Sequence, residues 1–186
     1  MVPFAQSVAL LTAEEFVAMP EDGLPRELVD GRIEEATMPG LRHGQICSKI
    51  DRLVGAFVET NDRGHVMSND SFILIKRDPD TVRGSDICYF SYERLPRGPV
   101  PESFADVAPE LVFEVRSPSD RWVKIMLKMG EYLNAGVSVV CVVDPQAETV
   151  SIYRPDENCK TFTANDDFLL PDILPGFVVK VRKFFE

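Results

Sequence analysis

The chain has 186 residues, a formal net charge of −10, and near-average contents of apolar residues, glycine and proline. This length and composition exclude wholesale disorder and predict a single domain over residues 1–186 with a full hydrophobic core. The acidic balance argues against a protein that coats nucleic acid, which would be basic. It does not exclude a nuclease, because acids gathered around a metal ion lower the net charge.

The cysteines and the hydropathy of the chain indicate its surroundings. None of the four cysteines belongs to a Cys-x-x-Cys pair, so the pattern does not predict a structural zinc site. The sequence shows neither a signal peptide nor an apolar run of about 18 residues. We therefore expect a soluble, cytoplasmic protein with no membrane partner.

The first half of the chain predicts two helices, a hairpin and short strands. Thr12 and Glu15 match a capping box, which predicts the start of a helix. Apolar residues recur at helical spacing from Ile46 to Val58, and Asp30-Gly31 is typical of a tight hairpin turn. The predicted elements are a helix over 13–19 that ends in a turn over 20–23, a hairpin over 27–34, a helix over 41–59, and strands near 65–67 and 71–76.

The second half alternates strands and helices. An amphipathic helix, capped by Ser119 and ended by Gly136, connects two apolar strands, and such a unit joins parallel neighbours. We therefore expect an α/β or α+β fold around one mixed sheet. The predicted elements are strands over 86–90, 110–116 and 137–143, a helix over 119–135, a proline-rich loop over 95–109, strands near 149–153 and 160–163, and a helix over 181–185.

One carboxylate lies inside an apolar run. Glu114 is flanked by Phe113 and Val115, and a buried carboxylate is costly unless it is paired or binds a metal ion. Upstream, Asp86 starts another apolar run, and Lys128 follows on the predicted helix. This set suits metal-assisted phosphodiester hydrolysis, because the acids hold a divalent cation and the lysine assists the attacking water.

Six short motifs follow one another in a characteristic order along the chain. They are Glu-Leu-Val-Asp-Gly from Glu27, Arg42-His43-Gly44, Arg-x-x-Asp ending at Asp86, Glu-Val-x-Ser-Pro-Ser from Glu114, Lys-x-x-x-Tyr-x-x-Ala-Gly-Val from Lys128, and Val-Asp-Pro from Val143. By this order, from about residue 11 to residue 185, the chain resembles the Uma family of restriction-endonuclease-like proteins, in the PD-(D/E)XK nuclease superfamily. The resemblance implies a restriction-endonuclease-like mixed β-sheet flanked by helices, with extra β-hairpins and a metal site at one end.

The resemblance also implies roles for individual residues. Asp86 and Glu114 correspond to the two acids of the superfamily motif and would bind Mg²⁺ or Mn²⁺, with Glu27 as a further metal ligand. Arg116 stands where the superfamily has its lysine. Lys128 matches a lysine that this family usually carries on the next helix, so the catalytic positive charge would reside there.

Two positions depart from the superfamily pattern. Ser85 replaces the proline before the first acid, and serine still lets a strand start. Arg116 replaces the lysine, and arginine stays protonated at any working pH, so it cannot act as a base. It would stabilise phosphate charge, while water activation would fall to the metal ion and Lys128.

Each candidate site residue also has a purely structural interpretation, which the sequence leaves open. His43, at the start of the long helix, is either a cap or packing residue or a donor to a substrate phosphate. The acids and the lysine could equally serve the fold alone. Glu114 would then form a strand-end ion pair with Arg116, Lys124 or Lys128, and Glu27 would pair within the hairpin with Arg26 or Arg32. Asp86 would be an acid in a turn, and Lys128 would be a surface lysine.

The sequence therefore predicts a Mg²⁺-dependent or Mn²⁺-dependent endonuclease that acts on DNA. A homodimer follows by analogy with nucleases that cut both strands. The rival hypothesis is a catalytically inactive nuclease-fold module that binds nucleic acid or another partner, which the acidity and Arg116 favour. Convergence of Asp86, Glu114 and Lys128 on one pocket would discriminate between the two.

Overall fold

The fold is described by a computed structural model that covers residues 9–20 and 23–186. Part of the turn predicted after the first helix falls on residues 21 and 22 and lies outside the described residues. Residues 1–8 of the predicted domain also lie outside them.

The N-terminal half follows the predicted order of elements. Helix α1 opens with the predicted capping box, in which Thr12 and Glu15 bond each other's backbone N–H groups. The elements are α1 (Ala13–Val17), β1 (Arg26–Val29), β2 (Arg32–Glu35), α2 (Leu41–Thr60), β3 (Gly64–Lys76) and β4 (Thr81–Ser91).

Two strand predictions in this half were wrong in their bounds. The predicted strands near 65–67 and 71–76 are one strand, β3, whose pairing with β4 is interrupted between Ser68 and Ser71. The strand predicted to start at Asp86 starts at Thr81 instead. Asp86 therefore lies in the middle of β4, because the polar residues before it continue the strand.

The C-terminal half contains the predicted strand–helix–strand unit. The elements are β5 (Leu111–Val115), α3 (Trp122–Asn134), β6 (Val139–Asp144), β7 (Thr149–Tyr153), β8 (Lys160–Thr163), β9 (Asp167–Leu169), β10 (Val178–Lys180) and a 3₁₀ helix (Val181–Phe184).

Three details of this half differ from the predictions. The N-cap of α3 is Arg121, not Ser119, because residues 117–120 form a turn in which Asp120 accepts the Ser117 N–H. The C-terminal helix is a 3₁₀ helix. The short paired strands β9 and β10 were not predicted, since three residues are too few to show a periodicity.

One mixed sheet organises the molecule, as predicted. Its strand order is β2-β1-β4-β5-β6-β7-β8, and β3 also pairs with β4. Strands β5 and β6 are parallel, as the crossover through α3 predicted, and the other neighbouring pairs in this sheet are antiparallel. No helix among the described residues combines the length and hydropathy needed to cross a membrane.

The sheet carries a hydrophobic core on each face. Alternate residues of β5 belong to different cores: Phe113 packs with the α2 side, and Val112 packs with Tyr132 of α3. The two helices therefore approach the same strands from opposite faces. The buried stripe of α2 consists of Ile46, Ile50, Val54 and Val58, in agreement with the predicted helical spacing.

An aromatic cluster closes the α2 side of the core. Its centre is Phe168 of β9, which is fully buried. The ring centroids of Phe113, Phe162, Phe177 and Phe184 lie 5.4–6.4 Å from that of Phe168. The unpredicted strand β9 therefore supplies a central packing residue.

We expect Phe168→Ala to lower the free energy of unfolding by about 3–5 kcal/mol, because it would leave a cavity that four surrounding rings cannot fill. Denaturant-induced unfolding measures the change. Leu169→Ala, on the exposed side of the same strand, is the matched control and should cost less than about 1 kcal/mol. Equal losses in the two variants would contradict this packing.

Candidate functional site

The candidate site opens into a cavity of about 680 Å³. Its walls come from α1, the loop between β2 and α2, the irregular part of β3, and the loop after β5. Four predicted site residues line it: Glu27, His43, Asp86 and Glu114. They come from four different elements, so the fold brings together residues that are far apart in the chain.

A gap in the sheet positions the acids. One edge of β4 pairs with β1 at Val82 and with β5 from Ile87 onward, which leaves residues 83–86 between the two strands. Side chains bond the backbone there: Glu27 Oε1 accepts the Gly84 N–H at 3.1 Å, and the Tyr132 hydroxyl lies 3.0 Å from the Gly84 oxygen. Polar side chains are thus required in the middle of the sheet.

Asp86 occupies the end of this gap. Its Oδ2 accepts the Val115 N–H at 2.6 Å and lies 3.3 Å from Nε2 of His43. The Asp86 side chain is only 10% exposed. Its Oδ1 accepts no hydrogen bond from the residues that the structure describes, and this oxygen is therefore available to a ligand in the cavity.

Glu114 lies on the α3 side of β5. Its Oε2 accepts from Lys128 Nζ at 3.0 Å, and its Oε1 lies 2.9 Å from the Tyr132 hydroxyl. The pKa of Glu114 is raised to about 7, because burial and the negative charge of Asp86 together outweigh the opposing effect of the Lys128 ammonium. The carboxylate in the apolar run is therefore paired, as the cost of burial demands.

The Tyr132 hydroxyl lies between two acceptors. Its oxygen is 2.9 Å from Glu114 Oε1 and 3.0 Å from the Gly84 oxygen. A hydroxyl has one hydrogen, so it donates to one of these oxygens at a time. Its donation to Glu114 lowers the pKa of that carboxyl and so opposes the effect of burial in part.

Lys128 forms ion pairs with both Glu114 and Glu27. Its Nζ lies 3.0 Å from Glu114 Oε2 and 3.2 Å from Glu27 Oε1. Burial lowers the pKa of Lys128, but the charges of Glu114 and Glu27 outweigh burial, so the net shift is upward and the side chain stays an ammonium. The face of α3 that carries Lys128 therefore points at the acids, which the sequence could not decide.

Glu27 is held mainly by cations. Arg83 Nη1 donates to its Oε2 at 2.7 Å, and Arg83 Nε in turn donates to Glu131 at 2.7 Å. Burial raises the pKa of Glu27, but Lys128 and Arg83 lower it more, so the net shift is downward. These contacts favour a role for Glu27 in positioning Lys128.

His43 lies in the first turn of α2 and faces the acids. Its Nε2 contacts Asp86, and its Nδ1 lies 3.4 Å from Cys47 Sγ. Burial lowers the pKa of His43, but the hydrogen bond to Asp86 and its charge raise it more. The histidine is therefore placed at the cavity wall, where it can donate to an anion.

Arg116 lies apart from this cluster. Its Nη1 is 3.2 Å from Asp144 Oδ2 and its guanidinium lies over the Trp122 ring at 5.0 Å. Among the described residues it makes no ion pair with Glu114, because β5 ends at Val115 and the chain turns there. The spacing of two residues between Glu114 and Arg116 therefore does not bring their side chains together.

Two site residues were given no role by the sequence. Asp70, in the irregular part of β3, lines the cavity, and its pKa is raised by loss of solvent and by the charge of Asp86. Tyr132 bonds both Glu114 and Gly84. The spacing of four between Lys128 and Tyr132 puts both on one helix face and was the available signal for Tyr132. Nothing in the sequence near Asp70 distinguishes it from a turn acid.

Comparisons with known proteins agree with the resemblance. The sequence profile of the Uma2 family, described as "Putative restriction endonuclease", matches residues 13–182. Among solved structures, the chain is similar to a "putative nuclease belonging to DUF820" from Anabaena variabilis, with a TM-score of 0.81 and 23% identity over 94% of this chain and 97% of that one. At this identity the likeness shows the fold. No curated protein matches the chain.

The raised pKa of Glu114 makes stability depend on pH. Between pH 4.5 and about 7 the folded protein holds a proton that the unfolded chain has lost, so stability should fall as pH rises through this window. In metal-free buffer we expect Glu114→Gln to remove this loss, which amounts to roughly 2–3 kcal/mol.

Denaturant unfolding at several pH values between 5 and 8 measures the effect. Glu110→Gln, which changes another partly buried acid just before the same strand, is the matched control. A wild-type stability that stays constant or rises across the window would contradict a protonated Glu114.

Proposed function

Because the chain belongs to the Uma2 family of restriction-endonuclease-like proteins, we propose that it hydrolyses phosphodiester bonds in DNA with the help of a divalent cation. The main support is that Asp86 and Glu114 line one cavity and that Lys128 contacts Glu114. Their distance along the chain makes this arrangement difficult to explain as local surface polarity. DNA as the substrate is supported by the description of the family alone.

The donor set suits a hard divalent cation. Asp86 offers Oδ1, and each Glu114 oxygen has a lone pair left beside its one hydrogen-bond contact. Asp70 adds a further carboxylate at the cavity wall. Oxygen ligands of this kind bind Mg²⁺ or Mn²⁺. The sequence assigned Glu27 to the metal shell as well, and its contacts with Arg83, Lys128 and the Gly84 N–H instead support a positioning role.

A bound divalent cation would lower the pKa of a coordinated water and offset the charge of the scissile phosphate. The remaining tasks fall to side chains. The Asp86 carboxylate is held in place by the Val115 N–H, and that of Glu114 by Lys128 and Tyr132. Since the Lys128 ammonium stays protonated, it acts as a donor that orients the attacking water or a phosphate oxygen, and not as a base.

Two further side chains complete the proposal. His43 is positioned to donate to a substrate phosphate, because it lies at the cavity wall beside Asp86. Arg116, whose Nη1 is paired with Asp144, is assigned to offset the charge of a neighbouring phosphate. A homodimer that cuts both strands remains part of the proposal by analogy with nucleases of this kind.

We expect the wild-type protein to cleave plasmid DNA in the presence of Mg²⁺ or Mn²⁺, and Asp86→Asn to lower the rate by on the order of a hundredfold or more, because a direct metal ligand is lost. Millimolar Mg²⁺ should raise the melting temperature of the wild type but not of Asp86→Asn. Asp62→Asn, which removes a surface carboxylate paired with Arg97, is the control and should behave like the wild type.

The absence of both cleavage and a metal-dependent melting shift would contradict the nuclease assignment. The protein would then be a catalytically inactive binding module, in line with the replacement of the superfamily lysine by Arg116. Cleavage that persists unchanged in Asp86→Asn would show that the active site lies elsewhere.

A second experiment separates Lys128 from Arg116. We expect Lys128→Ala to lower the cleavage rate by about two to three orders of magnitude, as losing one preorganised electrostatic donor does. Arg116→Lys should leave activity largely intact, because Arg116 pairs with Asp144 and not with the acids. Thermal melts of both variants check folding, since Lys128 also neutralises Glu27 and Glu114.

The reverse pattern would be decisive against this assignment. If Arg116→Lys raises activity sharply and Lys128→Ala has no effect, the catalytic positive charge resides in the position of the superfamily lysine. Lys128 would then be a structural counterion for the two glutamates.

A further inference from the structure

The first turns of α2 place a histidine and a cysteine beside Asp86. His43 and Cys47 are four residues apart on the helix and so share a face. The distance from His43 Nε2 to Asp86 Oδ2 is 3.3 Å, and that from His43 Nε2 to Cys47 Sγ is 4.0 Å. One nitrogen, one sulfur and one oxygen from these residues all lie within 4.8 Å of one another. The thiol has no part in the proposed hydrolysis.

We propose that His43, Cys47 and Asp86 bind a transition-metal dication of the Zn²⁺ or Co²⁺ class. Imidazole and thiolate ligands select such ions, whereas Mg²⁺ takes oxygen ligands. The set differs from a structural zinc site built on Cys-x-x-Cys pairs, because it has three protein ligands and one open position on the cavity. A water molecule from the cavity completes a tetrahedral shell.

The distances fit this coordination after side-chain movement, since all three ligand atoms already lie within 4.8 Å of one another. Bond lengths of about 2.0 Å to nitrogen and oxygen and about 2.3 Å to sulfur put ligand atoms about 3.3–3.5 Å apart in a tetrahedron. The separation of 3.3 Å between His43 Nε2 and Asp86 Oδ2 already has this value. Cys47 Sγ, at 4.0 Å from Nε2, must approach by roughly half an ångström, which a rotation about its single side-chain torsion supplies.

The surroundings favour a cation at this point. His43 and Asp86 are 12% and 10% exposed, so water screens the site weakly. The acids Asp70 and Glu114 act on Cys47 from β3 and β5, and together with burial they raise the pKa of its thiol, so a bound cation would displace the thiol proton. Their negative charge offsets the positive N-terminal end of the α2 dipole.

The two metal sites share Asp86. Zn²⁺ bound by His43 and Cys47 would also bind the Asp86 carboxylate. It would bring a second positive charge beside the Mg²⁺ position. Zn²⁺ would therefore inhibit Mg²⁺-dependent cleavage, a consequence that rests on the proposed function. The binding itself does not depend on it.

The test titrates Co²⁺ into the full-length protein and follows the thiolate-to-cobalt charge-transfer absorption in the near ultraviolet. The exposed thiol of Cys159 is removed first by Cys159→Ser, so that it cannot contribute. We expect this protein to show the absorption with one equivalent of Co²⁺, and the addition of Cys47→Ser to abolish it. By competition with a chelating dye, Cys47→Ser should weaken Zn²⁺ binding by about tenfold or more.

Two results would overturn the proposal. One is the absence of the charge-transfer absorption in the Cys159→Ser protein, and the other is its persistence after Cys47→Ser. A thermal melt of Cys47→Ser confirms that the near-isosteric change leaves the fold intact. Failure of DNA cleavage with intact Co²⁺ absorption would reject the proposed nuclease function alone. The converse, cleavage without the absorption, would reject this metal site alone.

Discussion

The candidate site depends on the hydrogen bond from Val115 N–H to Asp86 Oδ2. In a continuous sheet, the backbone of β5 would pair with the backbone of β4 at this point. Here the ladder ends at Ile87 and Phe113, and a carboxylate takes the next backbone donor. An acid at the cavity wall is thereby held inside the sheet by one oxygen, while its other oxygen accepts no hydrogen bond from the described residues.

The same gap explains the position of the other polar groups. Gly84 lies between the part of β4 that pairs with β1 and the part that pairs with β5. Its backbone N–H and oxygen form hydrogen bonds with Glu27 and Tyr132. An alanine at this position would bring its Cβ within 3.1–3.2 Å of Asp70, which is closer than nearly all such contacts. A glycine therefore lets β3 and β4 approach closely and keeps Asp70 beside the other acids.

Charge compensation then determines how the acids are held. Glu114 and Glu27 have side chains that are only 16% and 17% exposed, and an isolated charge there would be costly. One lysine between them reduces the cost for both, and Arg83 extends the network to Glu131. The network shifts the two pKa values in opposite directions: the pKa of Glu27 is lowered, and that of Glu114 is raised to about 7. Such a difference between neighbouring acids is common in active sites.

The amino-acid sequence by itself determined the order of most elements, though not β9 and β10, together with the family and the three residues Asp86, Glu114 and Lys128. Periodicity and caps predicted α1, α2 and the crossover through α3, because these signals act within a few residues. Glu114 was found because a carboxylate in an apolar run contradicts its surroundings. Only the tertiary structure decided that Lys128 faces Glu114, that Asp86 lies in the middle of a strand, that Arg116 pairs with Asp144, and that Asp70 and Tyr132 belong to the site. The physical reason is that these facts depend on where β1, β4 and β5 diverge and on how α3 is rotated against the sheet. Both are consequences of packing between distant segments, for which no local pattern exists.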